Sequence, residues 1–184
     1  MYGSPSTTQQ QQIQKIISGR RVHDLGCGDC VLARLLLDWG ATEVVAVDKD
    51  PFKPSPTRRG LTFTQAYFEY FDSITPEIDL AFMSWPSNRQ ESALLRLTKK
   101  AKTVVYLGKN TDGTMCGYPG LFEHFVTRKL LAYVPERGNT LIILGGPLKK
   151  PRRPRGEERA GLNVYNGKIY GFKAVEAGRR SKHI

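Results

Sequence analysis

The sequence is poor in cysteine and in long apolar runs, and each shortage excludes a class of protein. Three cysteines among 184 residues are too few, and odd in number, for a disulfide scaffold, and they fit a reducing compartment. No apolar run reaches membrane-spanning length, and the first residues lack the basic and apolar regions of a signal peptide. We therefore expect an intracellular, cytoplasmic protein with no membrane partner, or a nuclear one if the source is eukaryotic.

Acidic residues are scarce relative to basic ones. The chain has 28 Lys and Arg against 17 Asp and Glu, a formal net charge of +11, which favours a polyanionic partner such as nucleic acid. Most of this charge lies near the C-terminus, because residues 147–184 contain eleven Lys or Arg and only three Glu. Charge alone does not separate a nucleic-acid substrate from nonspecific attraction.

One stretch, residues 21–30 (RVHDLGCGDC), organises the rest of the chain. It predicts a short buried strand that turns through Gly26 and Gly28 into a helix, where backbone N–H groups are free to hold part of a nucleotide-like ligand. A second buried strand over 43–48 ends in Asp48. An acid at the tip of the second strand of a βαβ unit is where a ribose diol is bound.

The motif Asp24-x-Gly26-x-Gly28, together with Asp48, resembles the cofactor signature of class I (Rossmann-like) S-adenosylmethionine-dependent methyltransferases. The resemblance implies an α/β fold: a single-domain, doubly wound sheet of about seven strands, with the last strand antiparallel. It also implies S-adenosylmethionine as the cofactor. Asp24 would lie near the methionyl amino group, the two glycines would let the backbone approach the cofactor, and Asp48 would accept hydrogen bonds from both ribose hydroxyls.

The same resemblance implies the rest of the cofactor pocket. Cys27 lies within the glycine turn, Lys49 would lie against one face of the adenine, and Gln65 would bind the adenine amino group. Gln65 can equally be read as a surface residue at the end of its strand. Many members of the family have a third glycine, which usually serves helix packing, where this chain has Cys30.

A possible methyl-transfer turn follows the apolar run 78–83, which predicts a parallel strand buried on both faces. Ligands bind at the carboxyl ends of such strands, so we predict Ser84, Trp85 and Pro86 as the catalytic turn. Amino-group methyltransferases carry Asn/Asp/Ser-Pro-Pro-aromatic here; Ser84 and Pro86 match loosely and Trp85 replaces a proline. The resemblance thus implies a methyltransferase acting on nucleic acid or a nucleic-acid-associated protein. The other reading of this turn is a proline turn with Trp85 packed over the cofactor.

Composition divides the chain into three parts. We predict a polar leader with a helix over 9–18 (1–19), the S-adenosylmethionine-binding domain (20–148), and a basic arm with a C-terminal hairpin (149–184). Asn166-Gly167 is typical of a type I′ turn in that hairpin. The aromatic residues of this ribbon could stack on bases, or the whole segment could be a solvated basic tail.

Two alternatives remain open. The prolines of residues 49–60 prevent a regular helix, so the second crossover helix is expected to be missing or short. Together with the loose match at Ser84 and Pro86, this favours a non-catalytic module that binds S-adenosylmethionine and engages nucleic acid. Cys27-x-x-Cys30 between a strand and a helix is also how a thioredoxin-like redox site is built, although the tryptophan that usually precedes it is absent. No metal site is predicted, because the remaining cysteine and the three histidines have no paired spacing.

Overall fold

The computed structural model describes residues 4–50, 58–86, 91–108, 128–136, 139–147, 163–165 and 168–170. The helices of this part of the chain are α1 (Thr7–Ile17), α2 (Val31–Asp38), α3 (Phe68–Ile74) and α4 (Glu91–Lys100). The strands are β1 (Arg21–Leu25), β2 (Glu43–Asp48), β3 (Leu61–Gln65), β4 (Ile78–Ser84), β5 (Ala101–Gly108), β6 (Arg128–Glu136), β7 (Asn139–Pro147), β8 (Asn163–Tyr165) and β9 (Lys168–Tyr170).

Seven strands form one sheet in the order β3-β2-β1-β4-β5-β7-β6. The first five are parallel to one another, and β7 is antiparallel to both β5 and β6. The predicted α/β sheet of about seven strands with its last strand antiparallel is therefore confirmed. After β3 the chain crosses back, and β4 pairs with β1 on the side opposite β2. This change in strand order opens a crevice at the carboxyl ends of β1 and β4.

The core consists of two apolar layers, one on each face of the sheet. Phe68 and Phe71 of α3 and Leu94 of α4 pack on one face, and Ile13 of α1 and Leu36 of α2 pack on the other. Because helices cover both faces, the central strands β4 and β5 are buried along most of their length and read as continuous apolar runs.

Helix α1 begins two residues earlier than its apolar pattern predicts, because a capping box starts it. The Ser6 hydroxyl accepts a hydrogen bond from the N–H of Gln9, and the Gln9 side chain accepts one from the N–H of Ser6, so two donors of the first turn are satisfied. The Gln9 side chain also donates to the carbonyl oxygen of Val134 at 3.1 Å. This contact joins the leader helix to β6.

An ion pair joins three central strands at their amino ends, opposite the crevice. Nε and Nη2 of Arg20 each donate to a carboxylate oxygen of Asp79 at 2.9 Å, and Nη2 also donates to the hydroxyl of Thr103 at 3.1 Å. The hydrogen bond from Arg20 lowers the pKa of Asp79. A fork of this kind fixes the register of β1 against β4 and β5.

The predicted C-terminal hairpin is present as the antiparallel pairing of β8 with β9, in which Val164 is the register partner of Ile169. The turn expected at Asn166-Gly167, the basic arm over 149–162 and the prolines between 51 and 57 lie outside the described residues. Of the helices that are described, none combines the length and the apolarity needed to cross a membrane.

Candidate functional site

The glycine turn joins β1 to α2 at the mouth of the crevice. Gly26 and Gly28 have φ angles of +83° and +51°, the left-handed region that glycine adopts at little steric cost. A Cβ at Gly28 would meet no atom within 4 Å. A ligand can therefore approach the backbone closely at this position.

Three N–H groups of the turn are already bonded within the protein. Those of Gly26 and Cys27 both donate to the carbonyl oxygen of Val47, at 2.8 and 3.2 Å. That of Gly28 donates to Oδ2 of Asp48 at 2.9 Å. The expectation of free donors is wrong at these three positions, because the neighbouring strand β2 supplies the acceptors. A ligand would meet the open glycine surface and the Asp48 carboxylate instead.

Asp48 lies over the glycine turn, because β1 and β2 are adjacent and parallel, with Leu25 opposite Val47. Its second carboxylate oxygen accepts a hydrogen bond from the N–H of Asp50 at 3.1 Å. A carboxylate has about four acceptor positions, and the contacts to Gly28 and Asp50 use two of them. The rest are available to a pair of hydroxyl groups such as those of a ribose.

Asp24, on β1 two residues before Gly26, is fully buried. Neither carboxylate oxygen has a hydrogen-bond partner within the described part of the chain. Burial, reinforced by the nearby Cys30 and Asp48, raises the pKa of this carboxyl to about 8. A buried carboxylate without a partner is costly until a proton or a cation neutralises it, so Asp24 is suited to hold either one.

Lys49 and Gln65 lie beside Asp48 at the carboxyl ends of β2 and β3. Gln65 stands opposite Asp48 in the strand register, and its side-chain amide donates to the carbonyl oxygen of Lys49 at 3.4 Å. The Lys49 ammonium lies 3.0 Å from both carboxylate oxygens of Asp50, and this hydrogen bond raises the pKa of Lys49. The fold thus gathers all the residues of the predicted cofactor pocket at one edge of the sheet.

The predicted catalytic turn lies across the crevice, at the end of β4. Ser84 is half-buried and pairs with Leu107 of β5, whose carbonyl oxygen accepts a hydrogen bond from the Trp85 N–H at 2.8 Å. Trp85 has a φ of +44°, a left-handed conformation that costs a bulky residue about 1–2 kcal/mol. Its side chain is half-buried against the α1–α2 layer of the core, and Pro86 is buried. Strain of this kind is concentrated at functional sites.

Tyr106 and Gly108 belong to this region, and the sequence reasoning missed both. A Cβ at Gly108 would lie 2.7 Å from the Tyr106 hydroxyl oxygen and 3.5 Å from Cα of Trp85. Position 108 therefore needs a glycine, because a fully buried tyrosine fills the space beside it. The available signal was a glycine that ends an apolar run immediately before a polar stretch of sequence.

Two exposed tyrosines lie at the start of α3, the helix whose Phe68 contacts the glycine turn. Tyr67 and Tyr70, at the start of α3, are 63% and 62% exposed. Phe68, between them, lies against the glycine turn, since a Cβ at Gly26 would be 3.7 Å from its ring. Lys49 is close enough for Tyr67 to influence its pKa. Tyr67 therefore places an accessible aromatic ring beside the Lys49–Asp50 ion pair at the rim.

The two cysteines of the glycine turn lie side by side. Their sulfur atoms share a hydrogen bond at 3.4 Å, and both side chains are buried. Cys30 has a φ of +55° and immediately precedes α2, so a cysteine holds the left-handed position for which a glycine is better suited. In the described ranges, no group of three or more His, Cys, Asp or Glu could hold a metal ion.

Solved methyltransferase structures share this fold. The chain is similar to the N-methyltransferase NodS from Bradyrhizobium japonicum, with a TM-score of 0.57 and 13% identity over 76% of this chain and 93% of that one. It is also similar to the ribosomal protein L11 methylase from Lactobacillus delbrueckii subsp. bulgaricus, with a TM-score of 0.55 and 12% identity over 77% and 78%.

A third similar structure is the 23S rRNA methyltransferase ErmE, with a TM-score of 0.50 and 16% identity over 79% of this chain and 71% of that one. No protein-family model matches the chain, and no curated protein matches it. The chain therefore has the fold of the class I S-adenosylmethionine-dependent methyltransferases, as the resemblance implied.

Proposed function

We propose that this chain, which has the class I methyltransferase fold, binds S-adenosylmethionine at its glycine turn and transfers the methyl group to a nucleic acid. One observation carries the proposal. The Asp48 carboxylate, on the strand next to β1, is held over the open turn by the N–H of Gly28 at 2.9 Å. An acid in this position beside a glycine turn is suited to the ribose of a nucleotide-like cofactor.

The described residues fit this cofactor. Asp48 retains acceptor positions for the two ribose hydroxyls. A Cβ placed at Gly28 would have no atom within 4 Å, so the cofactor can approach the backbone there. Asp24 is a buried carboxylate without a partner among the described residues, which suits it to the cationic amino group of the methionyl part. Lys49 and Gln65 border the space for the adenine. When bound, the cofactor supplies an electrophilic methyl group.

Ser84, Trp85 and Pro86 would position the acceptor. Methyl transfer to an amine needs little acid–base help, and an in-line approach at about 3 Å does most of the work. The Ser84 hydroxyl and a backbone carbonyl of this turn can accept hydrogen bonds from an amine, and the Trp85 ring offers an apolar surface to a base. The hydrogen bond from the Trp85 N–H to the carbonyl oxygen of Leu107 in β5 holds the turn in place.

Charge and exposed aromatic residues support a nucleic acid as the acceptor. The net charge of +11 attracts phosphates. Tyr67 is accessible beside Lys49, Tyr70 is exposed in α3, and stacking of a base on an aromatic ring contributes about 1–3 kcal/mol. A protein that is itself bound to nucleic acid is the other acceptor compatible with these features.

The first test is calorimetry with S-adenosylmethionine on the wild type, Asp48→Asn and Asp50→Asn. Asp48→Asn keeps an acceptor for the Gly28 N–H but loses the charge, so we expect affinity to fall by about 10- to 100-fold. Asp50→Asn is the matched control: it removes the same charge two residues away, from a side chain that is 75% exposed and pairs with Lys49. Absence of binding to the wild type, or equal losses in the two variants, would refute the assignment.

The second test is transfer of a radiolabelled methyl group from S-adenosylmethionine to total RNA, DNA and protein. We expect label in a nucleic-acid pool and a large decrease with Asp48→Asn. Label in protein alone would shift the acceptor to that class. Binding with no transfer to any pool would instead favour a non-catalytic module that binds the cofactor and a nucleic acid.

A further inference from the structure

The cysteine pair in the glycine turn has the geometry of a dithiol close to forming a disulfide. The two sulfur atoms are 3.4 Å apart, and a disulfide bond of about 2.05 Å requires them to approach by roughly 1.4 Å. The backbone of the turn is already closed, because the N–H of Cys30 donates to the carbonyl oxygen of Cys27 at 2.9 Å. Such a turn holds its first and fourth Cα atoms within about 7 Å, close to the range that a disulfide spans.

The surroundings give the two thiols different reactivities. The hydrogen bond between the two sulfur atoms lowers the pKa of Cys30, and the charge of Arg34 acts in the same direction. Cys30 also immediately precedes the first residue of α2, where the helix dipole stabilises a negative charge. The same hydrogen bond and burial raise the pKa of Cys27. Cys30 is therefore the more acidic thiol of the pair and the better nucleophile, and Cys27 is the less acidic one.

Access to the pair is through the turn itself. Cys27 is 7% exposed and Cys30 2%, so a bulky reagent or another protein cannot reach them directly. Gly28 and Asp29, which separate the two cysteines, are exposed, and only one short turn lies between the sulfurs and solvent. A small oxidant is therefore better able to reach the two sulfur atoms than a bulky one.

We propose that Cys27 and Cys30 form an intramolecular disulfide when the protein meets hydrogen peroxide, and that the cross-linked turn binds S-adenosylmethionine more weakly than the dithiol does. The Cys30 thiolate attacks one peroxide oxygen, the O–O bond breaks, and a sulfenic acid and hydroxide form. The Cys27 sulfur then attacks the sulfenic sulfur, forming the S–S bond and breaking the S–O bond; water leaves with the Cys27 proton. Two thiols and one peroxide thus yield one disulfide and two waters, and a dithiol reductant reverses the reaction.

The effect on binding follows from the position of Gly28 inside the loop that the disulfide closes. Its N–H holds the Asp48 carboxylate at 2.9 Å, so a shift of the Cys27–Cys30 segment changes the relation between the glycine surface and the acid. Cys30 is already left-handed, which leaves it little freedom to absorb the movement. This half of the inference rests on the proposed function; the disulfide itself does not.

The experiment uses the full chain with Cys116→Ser, which leaves Cys27 and Cys30 as the cysteines. After treatment with hydrogen peroxide, the protein is denatured in the presence of a thiol alkylator, and intact mass should show the loss of two hydrogen atoms and no alkylation. Dithiothreitol should restore two alkylatable thiols. Cys27→Ser and Cys30→Ser in the same background should each fail to lose the two hydrogens, and circular dichroism with thermal unfolding would confirm that both variants fold.

Calorimetry on the oxidised and reduced forms then measures the coupling, and we expect the oxidised form to bind S-adenosylmethionine about tenfold more weakly. Thiols that stay alkylatable at peroxide concentrations that oxidise free dithiothreitol would overturn the disulfide. Equal affinities of the two forms would overturn the coupling. If the reduced protein binds no cofactor, the proposed function fails, while the mass measurement still decides whether the disulfide forms.

Discussion

Asp24 makes the stability of this protein depend on pH in an unusual direction. The pKa of its carboxyl is raised by burial from 3.8 to about 8, so the folded protein holds a proton that the unfolded chain releases between about pH 4 and pH 8. The stabilisation from the protonated carboxyl is fully present below the pKa of Asp24 in the unfolded chain, 3.8. It is lost as the pH rises through the pKa in the folded protein, about 8. Each unit of pKa difference corresponds to about 1.4 kcal/mol.

The perturbation is Asp24→Asn, whose amide has the size of the protonated acid and does not titrate. Near pH 4 we expect the variant and the wild type to have similar free energies of unfolding. Their difference should then grow in favour of the variant by about 1.4 kcal/mol per pH unit and approach about 5 kcal/mol near pH 8. An aspartate-to-asparagine change would thus stabilise the protein most under mildly alkaline conditions.

Urea unfolding at several pH values between about 4 and 8 measures this difference. Asp50→Asn is again the control, because its side chain is 75% exposed and its removal should leave the pH profile parallel to that of the wild type. A stability difference for Asp24→Asn that does not change with pH would refute the reasoning. It would mean that Asp24 is ionised when buried and has a partner that neutralises it.

The same carboxyl links cofactor binding to protons. If the cationic amino group of S-adenosylmethionine lies beside Asp24, as proposed, its charge favours the ionised carboxylate, and binding near neutral pH should release a proton. Calorimetry in buffers of different ionisation enthalpy measures this release. It should disappear in Asp24→Asn, and an unchanged proton count would place the amino group elsewhere.

Two further predictions concern backbone conformation. Cys30→Gly should be more stable than Cys30→Ala by about 0.5–1 kcal/mol, because glycine relieves the left-handed strain. At Gln11, an exposed helical position, alanine should be more stable than glycine. If alanine were the more stable residue at both positions, the left-handed conformation assigned to Cys30 would be wrong. Gly108→Ala should lower the free energy of unfolding by about 1–3 kcal/mol, because its Cβ would overlap the Tyr106 hydroxyl. Tyr106→Phe should recover part of this loss in a double-mutant cycle, and simple additivity of the two changes would argue against that overlap.

Local patterns carried most of the information about the elements near the site. The apolar run that ends in Asp48 predicts β2 with the bounds that the structure has, because a strand buried on both faces shows its length in the sequence. The glycine spacing predicts the turn into α2, because left-handed positions favour glycine. The apolar pattern predicts the start of α1 two residues late, because the capping box of Ser6 and Gln9 begins the helix before its first apolar residue.

The site itself depended on relations that no local pattern contains. Whether Asp48 reaches the N–H of Gly28 is decided by the strand order, which makes β2 the neighbour of β1. The N–H groups of Gly26 and Cys27, expected to be free donors, are instead bonded to Val47, because the parallel neighbour β2 brings this carbonyl oxygen alongside.

The sequence by itself determined the alternation of strands and helices, the position of the glycine turn and the excess of positive charge, because periodicity, turn chemistry and net charge are properties of short segments or of composition. Only the tertiary structure decided that Asp24 is buried without a partner in the described chain, that Cys27 and Cys30 have their sulfurs 3.4 Å apart, and that Gly108 lies against Tyr106. These properties depend on packing and on distances between side chains, which the folded chain fixes and the order of residues does not reveal.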